Sequence, residues 1–259
     1  EGAILAAKQT DYEIILVGKQ DIIYKHLEIW SKKYRVPAKK IKVVNATEVI
    51  EMGESPAIAV RQKKDSSMAV CCKLVASKQA DAFISMGNSG AAMATSLLYL
   101  KRIPGVIRPA ISTSFPTITG LCTILDVGAN VDCKPQHLLQ FAIMGSIYSK
   151  NVLKNKNHKV AVLSIGEEDS KGNDLIFSTS ELIKKTSLNF IGNVEGGELL
   201  KAKADVIVCD GFVGNIVLKF GEGIAEMIMK LIKESVKDNP LCWGATPFLR
   251  LAMKSVKRK

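Results

Sequence analysis

An apolar segment that stops at Gly87-Asn88-Ser89-Gly90 and continues as an alanine-rich stretch constrains this chain most. Residues 82–85 before the break predict a short strand, and residues 88–101 predict a helix. At such a junction the first N–H groups of the helix point into the crevice at the end of the strand, and glycine lets a ligand approach closely. The helix dipole favours negative charge there. The segment therefore predicts an anion site, with phosphate as the first candidate ligand.

The same segment has a competing interpretation as a membrane span. Residues 82–100 carry no charged side chain, and about 18 such residues qualify as a transmembrane candidate. The polar interruption argues against a span, because its side chains would lie in mid-membrane without partners. A strand, a loop and a packed helix are the preferred interpretation.

Strand-like runs alternate with helical stretches along all 259 residues, and several of these runs are apolar on both faces. This pattern predicts an α/β fold with three layers (α/β/α) around a doubly wound, mostly parallel sheet. A chain of 259 residues can bury its core as one large α/β domain or as two lobes, and we expect a single α/β domain over residues 1–259. The predicted strands are 13–17, 41–44, 82–85, 122–127, 159–165, 189–194 and 205–209. The predicted helices are 19–33, 66–79, 88–101, 135–150, 175–187, 195–202 and 213–237.

The charge and cysteine content limit the class of protein. The net charge of +11 favours acidic partners, such as an acidic carrier protein, anionic lipid, nucleic acid or phosphorylated metabolites. Solvated lysines on helix faces are the simpler explanation for most of this charge. The six cysteines show no paired metal spacing, and the apolar neighbours of four of them indicate buried thiols. The chain therefore reads as a reduced, cytoplasmic protein.

Four loops rich in Gly, Asn and Asp follow predicted strands, at 87–90, 126–135, 166–173 and 210–215. Ligands of parallel sheets bind at the carboxyl ends of the strands, so the four loops predict a shared polar site. Ordinary turns use the same residue types. The candidate catalytic residues in these loops are Asn88, Asp126, Asn130, Asp132, Lys134, Asp210 and Asn215.

Two carboxylates in the loop at 126–135 could alternatively hold a divalent metal. No further carboxylate or histidine lies at a suitable spacing, so neither a metal nor another cofactor is expected. His137 is a conceivable general base, although a structural histidine is commoner in such a place. The sequence has no nucleophile elbow, Walker loop or dinucleotide fingerprint. Covalent serine or cysteine catalysis and nicotinamide binding therefore lack their usual support.

A basic segment at 61–64 precedes a helix that Ser66 or Ser67 is placed to cap. It either binds an anion beside that helix N-terminus or simply caps the helix and exposes its lysines. Together with the first anion site, the segment gives a set of candidate phosphate-binding residues. They are Arg61, Ser66, Ser67, Gly87, Ser89 and Gly90.

Residues 239–259 form a basic amphipathic extension. Aromatic residues beside basic ones suit contact with an anionic membrane or an acidic partner. Alternatively, the apolar residues pack on another part of the protein or on a second subunit. The candidate carrier-protein or membrane contacts are Trp243, Phe248, Arg250, Lys254, Lys257, Arg258 and Lys259.

The chain resembles the bacterial phosphate acyltransferase family of phospholipid synthesis. The resemblance covers nearly the whole length, through residues 61–68, 80–91, 125–135, 140–148, 166–173, 190–195 and 205–218. It implies a fold similar to phosphotransacetylases and to isocitrate or isopropylmalate dehydrogenases. The family pattern begins with a strand and an Asp-Ala-Met-Gly-Gly-Asp loop and ends with a further Gly-rich segment. We therefore expect this sequence to lack the native N-terminal strand and C-terminal segment.

The resemblance also implies a reaction and partners. A fatty acyl group would pass from acyl-acyl carrier protein to inorganic phosphate, and acyl phosphate would serve phospholipid synthesis. The expected assembly is a homodimer in the cytoplasm, in peripheral contact with the inner face of the membrane, with no nucleic acid partner. The alternatives are a phosphate acetyltransferase-like enzyme using coenzyme A, an NAD-dependent dehydrogenase on a related scaffold, and a non-catalytic phosphate- or lipid-responsive peripheral protein.

Overall fold

A computed structural model describes residues 1–37 and 41–238, together with residues 244, 248 and 251. The chain divides into two compact units, Glu1–Pro104 and Gly105–Lys259. Across the described residues, no helix is long and apolar enough to cross a membrane.

The first unit combines a small parallel sheet with helices. Its strands pair in register from Ile14 and Ile41 onwards. Ile4 and Leu27 bring the first two helices onto this sheet, and Val60, Met68 and Ala91 form a second cluster between the other three helices. The described elements of this unit are α1 (Gly2–Gln9), β1 (Ile14–Gly18), α2 (Gln20–Tyr34), β2 (Ile41–Asn45), α3 (Pro56–Gln62), α4 (Ser67–Ala76) and α5 (Ser89–Tyr99).

The strand predicted at residues 82–85 was wrong. These residues have no regular structure, and Ile84 and Met86 are 89% and 94% exposed. An apolar run becomes a strand only when its backbone pairs with a neighbour. In the described part of the first unit, β1 and β2 pair only with each other. The helix predicted after the break is confirmed as α5.

The second unit contains the main sheet, whose strand order is β3-β4-β7-β5-β6. The strand β3 is antiparallel to β4, and all the other pairs are parallel. The elements are β3 (Ser112–Pro116), β4 (Leu121–Leu125), α6 (Pro135–Asn151), β5 (Val160–Leu163), α7 (Asp174–Lys184), β6 (Phe190–Val194), a 3-10 turn (Gly196–Glu198), β7 (Val206–Val208) and α8 (Gly211–Asp238).

Both faces of this sheet are covered. On one face, Val206 and Val208 pack with Phe141 of α6 and Ile183 of α7. On the other face, Ile207 packs in a cluster that includes Leu199 and the start of α8. Strands buried on both faces explain the apolar runs in the sequence. The predicted α/β fold with a mostly parallel sheet between helices is confirmed.

Four other elements differ from the sequence prediction. The helix predicted at 195–202 is only the 3-10 turn at Gly196–Glu198. The helices α1 and α3 and the antiparallel strand β3 were missed. The strand β3 returns to β4 through a turn in which Thr117 N–H donates to the Gly120 carbonyl at 2.8 Å. Such a hairpin interrupts the βαβ alternation from which the strands were predicted.

Candidate functional site

The candidate site of the second unit lies where β4 and β7 end side by side. The main-chain N–H of Cys209 donates to the carbonyl of Leu125 at 2.7 Å, and that of Asp126 donates to the carbonyl of Cys209 at 3.0 Å. The loop after β4 and the start of α8 are thereby brought together at the carboxyl edge of the sheet. This is the edge at which parallel sheets bind ligands.

The buried carboxylate of Asp126 organises the loop after β4. Its Oδ1 accepts hydrogen bonds from the N–H groups of Ile111, Gly128 and Ala129 at 3.0 to 3.2 Å. Its Oδ2 accepts from the main-chain N–H and the side-chain amide of Asn130, both at 2.7 Å. Asp126 has no exposed surface. Because the chain itself occupies both oxygens, the geometry suits a positioning role better than proton transfer with a substrate.

Asn130 ties this loop to two neighbouring segments. Its side-chain amide donates to the carbonyl of Pro109 at 2.7 Å. Its own carbonyl accepts from Gly211 N–H at 2.7 Å, at the beginning of α8. A methyl group on Gly211 would lie 2.8 Å from this carbonyl oxygen. Only a glycine therefore fits here without moving the backbone.

Four predicted residues at this edge remain accessible. Asp132, Lys134 and Asn215 are exposed, and Asp210 is half-buried. The Asp210 carboxylate caps α8 by accepting the Val213 N–H at 2.9 Å. These groups are available to a substrate, whereas Asp126 and Asn130 hold the frame beneath them.

Gly128 lies beneath the Asn215 side chain. A methyl group on Gly128 would lie 3.5 Å from Asn215 Oδ1, and the φ of Gly128 is +138°. L-residues rarely adopt that backbone conformation. The turn at Gly128 therefore lets the loop pass close to the side chain of Asn215.

His137 has a role that the sequence only suggested. Its Nδ1 accepts the main-chain N–H of Lys134 at 3.1 Å, so the neutral ring carries its proton on Nε2. Burial, followed by the positive charges of Arg108 and Lys134, lowers the pKa of His137 below its ordinary value of 6.5. The residue is therefore a neutral hydrogen-bond donor that also caps α6. Its signal in the sequence is a histidine two residues after the Lys-Pro that starts a helix.

Cys133 is the cysteine that lies within the loop. Its thiol donates to the Asn130 carbonyl at 3.4 Å. Burial, assisted by the negative charges of Asp126 and Asp210, raises the pKa of this thiol to about 11. Since the thiolate is the nucleophilic form, Cys133 is mainly in the less reactive thiol form at neutral pH.

In the first unit, Asn88 is a helix cap. Its Oδ1 accepts the N–H of Ala91 at 3.0 Å, and its amide donates to the carbonyls of Met52 and Glu54 at 3.1 and 3.2 Å. Ser66 is buried and caps α4 by accepting from Ala69 N–H at 3.3 Å. Both side chains therefore fix local structure.

The remaining predicted phosphate-binding residues are mostly accessible. Arg61, Gly87 and Ser89 are exposed, and Ser67 is half-buried at the start of α4. A methyl group on Gly90 would lie 2.8 Å from Cγ of Pro56. Gly90 thus allows α5 to approach α3 closely.

The structure brings one part of the predicted set together. Six of the seven predicted catalytic residues lie at one edge of the second unit, while Asn88 and the predicted phosphate-binding residues belong to the first. Of the predicted carrier-protein or membrane contacts, all but Phe248 lie outside the described residues, and Phe248 is 73% exposed. No group of three or more His, Cys, Asp or Glu side chains that could hold a metal occurs in the described ranges.

A family model described as "Fatty acid synthesis protein" matches residues 1–259. The chain belongs to this family. A relative named phosphate acyltransferase from Endomicrobium trichonymphae is 53% identical over 259 residues, covering 100% of this chain and 77% of the relative. A phosphate acyltransferase from Geotalea daltonii is 48% identical over 259 residues, covering 100% of this chain and 74% of the relative. The resemblance seen in the sequence is confirmed.

A solved structure supports the fold of this fatty acid synthesis family member. The EutD phosphotransacetylase from Staphylococcus aureus superposes with a TM-score of 0.56 at 17% identity, covering 87% of this chain and 78% of that protein. At this identity the likeness concerns the fold alone. It agrees with the predicted similarity to phosphotransacetylases.

One residue of this family member was not predicted from its sequence. Arg108 is exposed, and its Nη1 donates to the main-chain carbonyl of Asp132 at 3.1 Å. The signal was weak, because Arg108 precedes β3, a strand that the sequence did not reveal. The contact places a guanidinium group on the loop that carries Asp132 and Lys134.

Proposed function

We propose that this chain transfers a fatty acyl group from the thioester of acyl-acyl carrier protein to inorganic phosphate. The single observation that carries the proposal is the 53% identity, over all 259 residues, to a protein named phosphate acyltransferase. The 48% identical relative has the same name. The product would be an acyl phosphate for phospholipid synthesis.

The reaction needs no covalent enzyme intermediate. A phosphate oxygen attacks the thioester carbonyl carbon, and the carbonyl oxygen becomes a tetrahedral oxyanion. Collapse of this intermediate breaks the C–S bond, and the leaving carrier thiolate takes up the proton that hydrogen phosphate loses as the acyl phosphate forms. Holding phosphate against the thioester can supply several kcal/mol of the barrier, on the order of 7–11 kcal/mol in well-oriented cases.

The exposed residues of the second unit are the proposed contacts with the reacting groups. Asn215 offers an amide donor that could stabilise the oxyanion, and Lys134 offers a positive charge for phosphate. Asp132 and Asp210 would orient the substrates. Asp126 and Asn130 would act through the loop that they hold, as positioning residues.

In the first unit, the N-terminus of α5 is an alternative proposed site of inorganic phosphate. Asn88 accepts the hydrogen bond of the Ala91 N–H, so the other N–H groups of the first turn of α5 are available to a ligand. The exposed hydroxyl of Ser89 lies beside them. Arg61, Ser67 and Gly87 would complete this site. Ser66, Asn88 and Gly90 would support it by capping and packing.

We also propose a homodimer, supported by an apolar stripe along α8. The stripe consists of Phe220, Ile224, Met227 and Leu231, which are between 38% and 69% exposed. The spacings of four, three and four residues place them along one helix face. A large exposed apolar face marks an interface. A second copy of the chain supplies the same stripe and makes a symmetric contact.

Sedimentation of the wild type and of variants tests the dimer. The wild type should sediment as a dimer, and Met227→Glu combined with Leu231→Glu should sediment as a monomer. The exposed residue Glu226 provides the control, because Glu226→Gln leaves the stripe intact. A monomeric wild type would contradict the proposal.

For the basic extension we propose contact with the acidic carrier protein in the cytoplasm, at the inner face of an anionic membrane. The support is its composition, with Arg250, Lys254, Lys257, Arg258 and Lys259 in the last ten residues. Such contacts weaken as salt screens the charges. Carrier affinity that does not change with salt would contradict this part of the proposal.

The decisive experiment is phosphate-dependent release of carrier thiol from palmitoyl-acyl carrier protein, with palmitoyl-coenzyme A in parallel. Thiol release together with hydroxylamine-trappable acyl phosphate from the carrier donor supports the proposal. Thiol release from palmitoyl-coenzyme A alone would show that the acyl donor is the coenzyme A thioester and not acyl-acyl carrier protein. No phosphate-dependent release from either donor would refute the function.

A further inference from the structure

Arg108 and the residues that follow it, Pro109 and Ile111, form hydrogen bonds with the loop after β4. Its Nη1 donates to the Asp132 carbonyl at 3.1 Å. The next residue, Pro109, accepts the side-chain amide of Asn130 at 2.7 Å, and the N–H of Ile111 donates to the buried carboxylate of Asp126 at 3.0 Å. The guanidinium group is therefore held at the same edge as the candidate site.

Lys134 places a second positive charge on this loop. It is exposed and immediately precedes α6. Both Arg108 and Lys134 act electrostatically on the buried ring of His137, which lies within one turn of the start of that helix. Residues 108 and 134 thus contribute positive potential to one small region.

The two cations have no ion-pair partner among the described residues. Over residues 1–37 and 41–238, neither Arg108 nor Lys134 forms an ion pair. Asp132 meets Arg108 through its main-chain carbonyl, and its carboxylate forms no ion pair in these ranges either. Because both cations act on the same imidazole ring, their like charges repel each other, and a bound anion would reduce that repulsion. The arrangement is therefore suited to an anionic ligand.

We propose that Arg108 and Lys134 together bind a phosphate group of a substrate. This inference rests on the proposed phosphate acyltransferase function. With one N–H group on the Asp132 carbonyl, the guanidinium keeps four donors, and its planar fork matches two phosphate oxygens. The Lys134 ammonium adds a point charge. The exposed Asp132 carboxylate can accept a hydrogen bond from the P–OH group of a monoprotonated phosphate.

The reaction offers two sources of such a group. One is inorganic phosphate, the attacking nucleophile. The other is the phosphodiester in the thiol-bearing arm of the acyl donor. Both present tetrahedral phosphorus with anionic oxygens, so the same two side chains can recognise either. The kinetic experiment distinguishes the sources, because only the Michaelis constant of the bound substrate should rise.

The first test is steady-state kinetics of Arg108→Ala, Arg108→Lys and Lys134→Met with both substrates varied. Loss of a charged hydrogen bond should raise KM for one substrate roughly 10- to 100-fold. Arg108→Lys should recover only part of the loss, because an ammonium cannot form the fork. The control is Lys150→Ala, an exposed lysine at the opposite end of α6.

The second test does not depend on turnover. Phenylglyoxal modification of the wild-type chain is mapped by mass spectrometry with no addition, with inorganic phosphate, and with holo-acyl carrier protein. One of the two additions should protect Arg108 from modification. The protecting addition should correspond to the substrate whose KM rises in the variants. Arg35, an exposed arginine at the end of α2, should be modified equally in all three samples.

The outcomes separate this inference from the proposed function. Unchanged KM values in the variants, together with equal modification of Arg108 in all three samples, would overturn the phosphate contact. In that case, turnover by the wild type would still support the proposed function. Protection of Arg108 in a wild type that shows no turnover would support the contact and refute the function.

Discussion

A methyl group at Gly214 would overlap the main-chain carbonyl oxygen of Asp126, and it would also lie 3.0 Å from Sγ of Cys209. The backbone of the first turn of α8 therefore packs directly against the backbone of the loop after β4, with no side chain between them. We expect Gly214→Ala to destabilise the protein by about 2–3 kcal/mol, since neither backbone can move without breaking contacts around Asp126. Urea denaturation measures this change in the free energy of unfolding.

The control is another glycine of the same helix. A methyl group at Gly223 would meet no atom within 4 Å. Gly223→Ala should therefore stabilise the protein by about 0.5–1 kcal/mol through helix propensity. Equal effects of the two substitutions would show that the close approach at Gly214 is not what matters.

Asp126→Asn tests whether the carboxylate holds the loop. The amide group would turn a donor toward N–H groups that now donate to the carboxylate, such as those of Gly128 and Asn130. We expect a loss of roughly 2–3 kcal/mol in the free energy of unfolding. Asp132→Asn on the same loop should change it by less than about 0.5 kcal/mol, because that side chain is exposed. A stable Asp126→Asn variant would leave the carboxylate free for another role.

Asn215→Ala tests the proposed oxyanion donor. The residue is exposed on α8, so replacing asparagine by alanine should leave the free energy of unfolding unchanged or slightly raised. Loss of one oxyanion donor should lower kcat by about 10²–10³-fold, with KM for both substrates little changed. Lys233→Ala, at an exposed position further along α8, is the matched control. A normal kcat in Asn215→Ala would remove Asn215 from the reacting groups.

The sequence predicted the main sheet well because its strands are buried on both faces. Val160 and Val206 lie in such runs, and their apolar character is visible without any partner. The strand at residues 82–85 failed because the sequence cannot show whether a neighbouring strand is available to pair with it. The strand β3 was missed for a related reason. Its segment Ser112–Pro116 has exposed ends and a half-buried middle, and it begins with three polar residues in a row, so it lacks an apolar run.

Residue types at the site were predicted better than their roles. Asp126 and Asn88 were chosen as catalytic candidates because polar residues follow apolar runs, and the structure shows both engaged by the chain. A sequence does not reveal whether a carboxylate or an amide is already satisfied by backbone groups. The same limitation hid Arg108, whose importance depends on a contact with a loop 24 residues away.

The pH dependence of stability provides the last test, through His137. Its folded pKa lies below 6.5, so between 6.5 and that lower value the unfolded chain binds more protons than the folded chain. The free energy of unfolding should therefore fall as the pH drops through this window, by at most about 1.4 kcal/mol per pH unit. Above pH 6.5 the ring is neutral in both states and contributes no slope.

His137→Asn keeps an acceptor for the Lys134 N–H and removes the titrating ring. In urea denaturation from pH 7.5 to 5, the free energy of unfolding of the wild type should fall more than that of this variant. The difference in unfolding free energy between the two proteins should therefore become smaller as the pH falls. His26→Asn on the exposed side of α2 serves as the control and should retain the wild-type decline. The same decline in His137→Asn would show that another group causes the pH dependence. A smaller decline in His137→Asn would assign the pH dependence to His137, whose pKa is lowered by burial and by the charges of Arg108 and Lys134.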